Sequence, residues 1–400
     1  AFVLANYNEY AGDPGYYSTD IEKVKAVTKD DIIRVYNKYI KDKPYLATSF
    51  VPKGQLDMVA EGSVDAGGVA EADMTATEVN IEDLEEDALV MTETSFDRSI
   101  QPADGPDPLL NLPEVWEDEL ANGMKVYGIE HHELPLVQFN IVIKGGHYLD
   151  SPDKVGVANL VTDLMMEGTN NKTPLELEEE IEKLGARIYM YTSNTSITIT
   201  VNTLARNYDK TLALVEEILL EPRWDEEEFE LAKTSIINRL KRQKADPNSL
   251  ARNAFNHLVY GDNHIFAISS LGTEESVTNI TIDDLKAYYD SYFSPSVANF
   301  HIAGDITQDY AVKSLAGLTD SWQAKEVVFP EYTYPPPLDA SKIYFVDVPG
   351  AKQSVINIGC IGLARTDDDF YPATVMNHKL GGSFNGTVNM VLREEKGFTY

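Results

Sequence analysis

A single cysteine, Cys360, stands in 400 residues, which excludes an internal disulfide framework and leaves the redox compartment open. No apolar run approaches the roughly 18 residues needed to cross a bilayer, so no membrane span is expected. Basic residues are scarce, 33 Lys and Arg against 65 Asp and Glu, which sets the net charge at -32. Few surfaces of such a chain could neutralise phosphates, and this argues against nucleic acid as a partner. A G-x-S-x-G elbow, a P-loop and a dinucleotide-binding glycine fingerprint are also missing, which removes three common routes to catalysis. The first residues, AFVLANYNEYAGDPGYYSTD, contain no initiating Met, charged leader or cleavage site, and they read as the interior of a longer chain. Acidic composition and near-absence of cysteine suit a bacterial periplasm.

What is present is a globular composition, 43% hydrophobic with a mean hydropathy of -0.27. Four hundred residues exceed one ordinary core, so two or more domains are expected. Residues 1–52 read as the C-terminal end of a preceding domain. Thr28 is a plausible N-cap for DDIIRVYNKYI, and a β-rich YLATSFV follows. Residues 53–112 read as an acidic linker or hinge. From 54 on they hold fifteen Asp or Glu against one basic residue, Arg98, with almost no aromatics. Such a stretch cannot bury enough apolar surface to offset its chain entropy.

From 113 to 305 the pattern is globular. MKVYGIEH and LVQFNIVIKGG predict strands, and RIYMYTSNTSITITVNTL predicts an antiparallel pair. Helices are predicted over 156–167, 173–184 and about 225–245, with others in NYDKTLALVEEILLE, NSLARNAFNHLVY and, capped by Thr281, DDLKAYYDSYF. VANFHIAG closes as a strand. This order predicts an α+β fold, a mixed sheet with helices packed on one face. Residues 306–336 read as a connection. Residues 337–400 begin a further domain, with strands in KIYFVDVPG and SVINIGCIGL (Cys360 in its core) and a helix in FYPATVMNHKL.

The final stretch, LGGSFNGTVNMVLREEKGFTY, places Gly381 and Gly382 before a helical run that Gly397 should end at Lys396. Arg393 and Tyr400 then flank a helix end. They read either as a surface helix terminus with one core tyrosine or as two polar side chains sharing a cleft. The chain also repeats itself: VQFNIVIKGGHYLDSPDKVGVANLVTDLMMEGT is echoed by SVINIGCIGLARTDDDFYPATVMNHKLGGSF, and TKDDIIRVYNKYI by TIDDLKAYYDSYF.

DSPDKVGVANLVTDLMMEGT, YGDNHIFAISSLGTEESVTNITIDDL, YFSPSVANFHIAGDI and LGGSFNGTVNMVLREEKGFTY occur in this order. Over nearly its whole length the chain thereby resembles the insulinase/pitrilysin family of inverted-motif zinc peptidases. The resemblance implies the mitochondrial-processing-peptidase/LuxS-like metallohydrolase fold, with four repeated domains in two halves that close as a clamshell around a peptide chamber. Residues 113–305 would be the third domain and 337–400 the start of the fourth. The family's zinc motif is H-x-x-E-H on a helix, two His on one face with a Glu that activates water. Alignment on Gly168-Thr169 puts Asn159 and Asp163 at the histidine positions and Thr162 at the base. The later helix, SIINRLKRQKADP, is basic and amidic where a third ligand would sit. No metal is expected here. His131 and His132 lack i,i+4 geometry, and His147, His257, His264, His301 and His378 are scattered.

The resemblance implies that zinc belongs to the other half, upstream in the same chain or on a partner subunit. Arg393 and Tyr400 match a pair that reaches substrate from the fourth domain, and the Gly381-Gly382 loop would let an extended peptide approach. The expectation is therefore the non-zinc half of a zinc endopeptidase, inactive alone, acting on peptide or unfolded polypeptide. The alternative is a non-catalytic scaffold or partner subunit of the same fold.

Overall fold

The computed structural model describes residues 2–52, 54–65, 67, 97, 100, 103, 105, 106, 109, 111–336, 340–351 and 353–399. The chain divides into two compact units, Ala1–Pro106 and Asp107–Tyr400. The acidic run IEDLEEDA of the expected linker lies outside the described residues.

The first unit contains three helices, α1 (Phe2–Ala11), α2 (Tyr16–Lys25) and α3 (Lys29–Tyr39), none with a buried residue. Thr28 caps α3 as its sequence requires. Its hydroxyl accepts from Asp31 N at 3.2 Å while the Asp31 carboxylate accepts from Thr28 N at 3.1 Å. The Thr28 hydroxyl, 2.7 Å from Asp31 Oδ2, and then Arg34 pull the Asp31 carboxyl down to about 2. YLATSFV forms no strand, because no ladder partner stands beside it among the described residues.

The second unit is built on a six-stranded mixed sheet. In chain order its elements begin with β1 (Trp116–Glu119), β2 (Lys125–Glu130), β3 (Leu136–Lys144), α4 (Val157–Met165), α5 (Pro174–Lys183), β4 (Arg187–Thr192) and β5 (Ser196–Leu204). They continue with α6 (Tyr208–Leu220), α7 (Glu226–Gln243), α8 (Pro247–Tyr260), α9 (Glu274–Asn279), α10 (Ile282–Tyr292), β6 (Ala298–Gly304), α11 (Gln308–Ser314), α12 (Ala316–Ser321) and α13 (Phe370–Asn377). The sheet runs β1-β2-β6-β3-β5-β4, with β2 and β6 parallel and every other pair antiparallel. This is the α+β architecture that the order of elements predicts.

Strict alternation in β3 buries Val137, Phe139, Ile141 and Ile143 on one face and leaves Gln138 and Lys144 exposed on the other. On the buried face Phe139 stacks on Phe300 with ring centroids 5.2 Å apart and meets the edge of Tyr208 at 5.8 Å. Leu160 and Leu164 of α4, Leu212 and Val215 of α6, Ile236 of α7 and Leu285 of α10 complete this core. Capping fixes where the helices start. Thr173 before α5 and Thr281 before α10 each form a reciprocal capping box. Asp225 and Asp246 accept the first amides of α7 and α8. The Thr281–Asp284 box repeats the Thr28–Asp31 box, so the sequence echo is also a structural one.

One strand joins those predicted, and two expectations are corrected. WEDE forms the edge strand β1 despite its poor β-propensity, because Trp116 lies across Gly128 of β2, where any Cβ would stand 2.1 Å from the indole. Residues 306–321, the start of the expected connection, form α11 and α12 and send Ala311, Leu315 and Leu318 into the core, followed by Trp322. KIYFVDVPG and SVINIGCIGL form no strand. Ile343 and Ile358 are 99% and 93% exposed, and Cys360 is exposed instead of buried, since no neighbouring strand pairs with this backbone among the described residues. No helix among the described residues is long and apolar enough to cross a membrane.

Candidate functional site

The helix expected to carry a degenerate zinc motif is α4. Its three positions are engaged with protein or with a counter-charge. The Asn159 amide donates to Ser270 O at 2.6 Å, and Thr162, 1% exposed, donates to Asn159 O at 2.9 Å and lies 3.2 Å from the Thr192 hydroxyl on β4. Asp163 is the one charged group of the three. Desolvation by surrounding protein raises its carboxyl above the ordinary range, and Arg239 on α7 opposes that rise. A single carboxylate, beside an amide and a hydroxyl already committed, does not fit a zinc ion. No group of three His, Cys, Asp or Glu that could hold a metal occurs among the described residues.

The opening of α4 is set by a buried pair that sequence reasoning left unassigned. His147 and Asp150 are 1% and 2% exposed. Asp150 Oδ2 accepts from Gly156 N at 3.0 Å and lies 3.1 Å from His147 Nδ1, while Oδ1 accepts from Ala158 N at 2.9 Å. His147 Nε2 stands 3.1 Å from both Ile265 O and Ile268 O, so that nitrogen carries a proton. Burial pushes the Asp150 carboxyl above its ordinary value, against the pull of His147 and the two amides. The pair clamps the start of α4 to the 265–268 turn. Tyr288 of α10 adds a bond to Gly146 O at 2.8 Å. The H-x-x-D spacing just ahead of the helix was the available signal.

The C-terminal stretch follows its predicted outline. A π-helical turn, Met390–Glu395, ends at Lys396, and Gly397 takes φ +62. Gly397 N donates to Arg393 O at 3.1 Å, the bond of an αL cap, and Phe398 N to Leu392 O at 2.8 Å closes around it. The Arg393 guanidinium lies 4.6 Å from the centre of the Phe384 ring, and its Nε is 3.5 Å from Glu394 Oε1. Tyr400 lies outside the described residues. Gly381 and Gly382 sit in a second π-helical turn, His378–Gly382, and not in a loop. A Cβ on Gly382 would stand 3.0 Å from Asn377 O, so that glycine serves the tight turn itself. No hydrogen bond or ion pair joins this stretch to α4 among the described residues.

The opposite face of the sheet is a further polar surface that the sequence reading did not single out. Cross-strand registers align Tyr127, His301, Asn140, Thr200 and Tyr189 in one row across five strands. Among the described residues Asn140 Oδ1 is buried there without a hydrogen-bond partner, and burial holds the His301 imidazole below its ordinary value.

Residues 126–268 match the insulinase family (peptidase family M16), and residues 279–400 match the M16 peptidase inactive domain. Among relatives, an uncharacterised zinc protease, YmxG, of Bacillus subtilis is 23% identical over 70% of this chain and 67% of its own length. A Helicobacter pylori protein named as a non-peptidase homologue is 23% identical over 68% of this chain and 62% of its own. The chain thus spans about two thirds, or less, of the length of these relatives. Among solved structures, an M16 peptidase inactive domain from Pseudomonas fluorescens superposes with TM-score 0.62 at 22% identity, covering 72% of this chain and 69% of that one. The periplasmic protease PqqL of Escherichia coli matches with TM-score 0.50 at 20% identity, over 58% of this chain but 26% of its own. With its α+β fold and these two matched regions, the chain belongs to the insulinase (M16) peptidase family.

Proposed function

We propose that this chain is the non-zinc half of a zinc endopeptidase, binding peptide or unfolded polypeptide beside a metal held by an upstream half or a partner subunit. The observation that carries this reading is α4. In a chain matching a peptidase family and its inactive domain, the helix offers Asn159, Thr162 and Asp163 where a metal site would need ligands and a base. Arg393 and Tyr400 are the residues assigned to the shared site. The Arg393 side chain is one-third exposed and rests on a ring face, a contact that can be exchanged for a peptide carbonyl. The Tyr400 phenol would donate to the oxyanion that forms as the carbonyl is attacked. Gly381 and Gly382 keep the preceding turn slim enough for an extended chain to pass. The periplasm is the proposed compartment, in keeping with the PqqL likeness.

The test pairs this chain with the zinc-bearing half and follows cleavage of a quenched fluorescent peptide. Alone, the chain should bind no stoichiometric zinc and cleave nothing. In the complete protein, Arg393→Ala and Tyr400→Phe should lower kcat about 100-fold or more with zinc content unchanged. Tight zinc in this chain alone would overturn the assignment. Turnover unaffected by either substitution would support a scaffold role, which the relative named as a non-peptidase homologue also suggests.

A further inference from the structure

The sheet face turned away from the helices carries an unusual charge pattern for this protein. Across β2, β6, β3, β5 and β4, every outward-facing position is neutral or basic. Lys125, Lys144 and Arg187 are its charged members, all exposed, in a chain whose net charge is -32. Acidic side chains begin only at the β1 edge, with Glu117 and Glu119. At the centre, Asn140 Oδ1 is buried with no hydrogen-bond partner among the described residues. Native structures leave few such acceptors, and each asks for a donor. Tyr189 and Tyr191, 56% and 51% exposed, flank it on β4 as flat contact surfaces.

We propose that this face binds an extended polypeptide through its acidic side chains, with Lys144 and Arg187 pairing to carboxylates and Asn140 accepting a peptide N–H. This deepens the peptide-binding reading above and rests on it. A polypeptide suits the surface better than a nucleic acid: its carboxylates are sparse enough to meet three cations, whereas a phosphate backbone would set one charge per nucleotide against a strongly acidic protein. Its amides also supply the donor that Asn140 lacks. The preference opposes the one the net charge would impose, which makes it sharply testable.

Fluorescence anisotropy with the full chain would compare short labelled peptides carrying alternate Glu, alternate Lys or alternate Gln, together with an oligothymidylate of equal charge. The Glu peptide should bind about tenfold or more tighter than the Lys peptide, and should weaken as salt rises. The double substitution Arg187→Glu/Lys144→Glu should abolish or invert that ratio, while Lys241→Glu on α7 should leave it unchanged. Asn140→Leu should weaken both peptides and preserve the ratio. Should that variant fail to fold, the exposed Arg187 and Lys144 still decide the matter. Equal or tighter binding of the Lys peptide, tighter binding of the oligonucleotide, or a ratio indifferent to Arg187 and Lys144 would overturn the proposal. Turnover with the zinc-bearing half but no acidic preference refutes this surface alone. An acidic preference without turnover refutes the peptidase assignment alone.

Discussion

Asp150→Ala tests the buried clamp at the start of α4. The carboxylate accepts from Gly156 N and Ala158 N and holds His147, all in a site 2% exposed or less on the two side chains. Alanine strands two buried amides and leaves His147 without its partner. Breaking a buried pair in this way costs about 3–5 kcal/mol. Asp150→Asn keeps the shape. Its carbonyl oxygen can serve one amide and its NH2 can donate to a neutral His147, so one stranded amide remains, at about 1–3 kcal/mol. All three tryptophans, Trp116, Trp224 and Trp322, lie in the second unit, so urea unfolding followed by their emission reports on it alone. With an m-value of about 3 kcal/mol/M, the alanine variant should lower the midpoint by about 1–1.7 M and the asparagine variant by roughly a third to a half of that. Hydrogen exchange at the first turn of α4 should accelerate in the same order. An alanine variant shifted by less than about 0.3 M, or an asparagine variant as damaged as the alanine one, would refute the clamp.

Other consequences follow from single contacts. His132 lies 2.8 Å from Asp305 and 3.4 Å from Glu130, which raises its pKa above the ordinary 6.5, Asp305 contributing most. That stabilisation is complete below about pH 6.5 and is lost as pH rises through the raised value, so the gap between wild type and His132→Gln should close on going alkaline; a constant gap would contradict it. Gly304→Ala should lower Tm by several degrees, because φ is +140 and the new Cβ would lie 2.1 Å from Leu136 O; an unchanged scan would count against the strain. Phe139→Ala removes a ring stacked on Phe300 and edged by Tyr208, at about 3–5 kcal/mol in urea unfolding; a loss under about 1 kcal/mol would show the core collapsing around the gap.

Short-range chemistry made much of this molecule legible from sequence alone. Thr28 and Thr281 announced their helices because a capping box is closed within four residues. Alternation in β3 fixed which of its side chains would be buried, and Gly397 ended its helix for a reason local to its own φ. The residue types at Asn159, Thr162 and Asp163 already spoke against a metal, and the hydrogen bonds of Asn159 and Thr162 add how those two are otherwise engaged. Interactions between residues far apart in the chain were settled by packing alone. β1 exists because Gly128 makes room for Trp116, and the parallel β2–β6 pair joins segments about 170 residues apart. His147, read as one of several scattered histidines, became half of a buried clamp because Asp150 and the 265–268 carbonyls surround it. The acid-free sheet face emerges only when five strands are laid in register. Conversely, KIYFVDVPG has every local mark of a strand and forms none, because a strand is completed by its neighbour's hydrogen bonds and not by its own sequence.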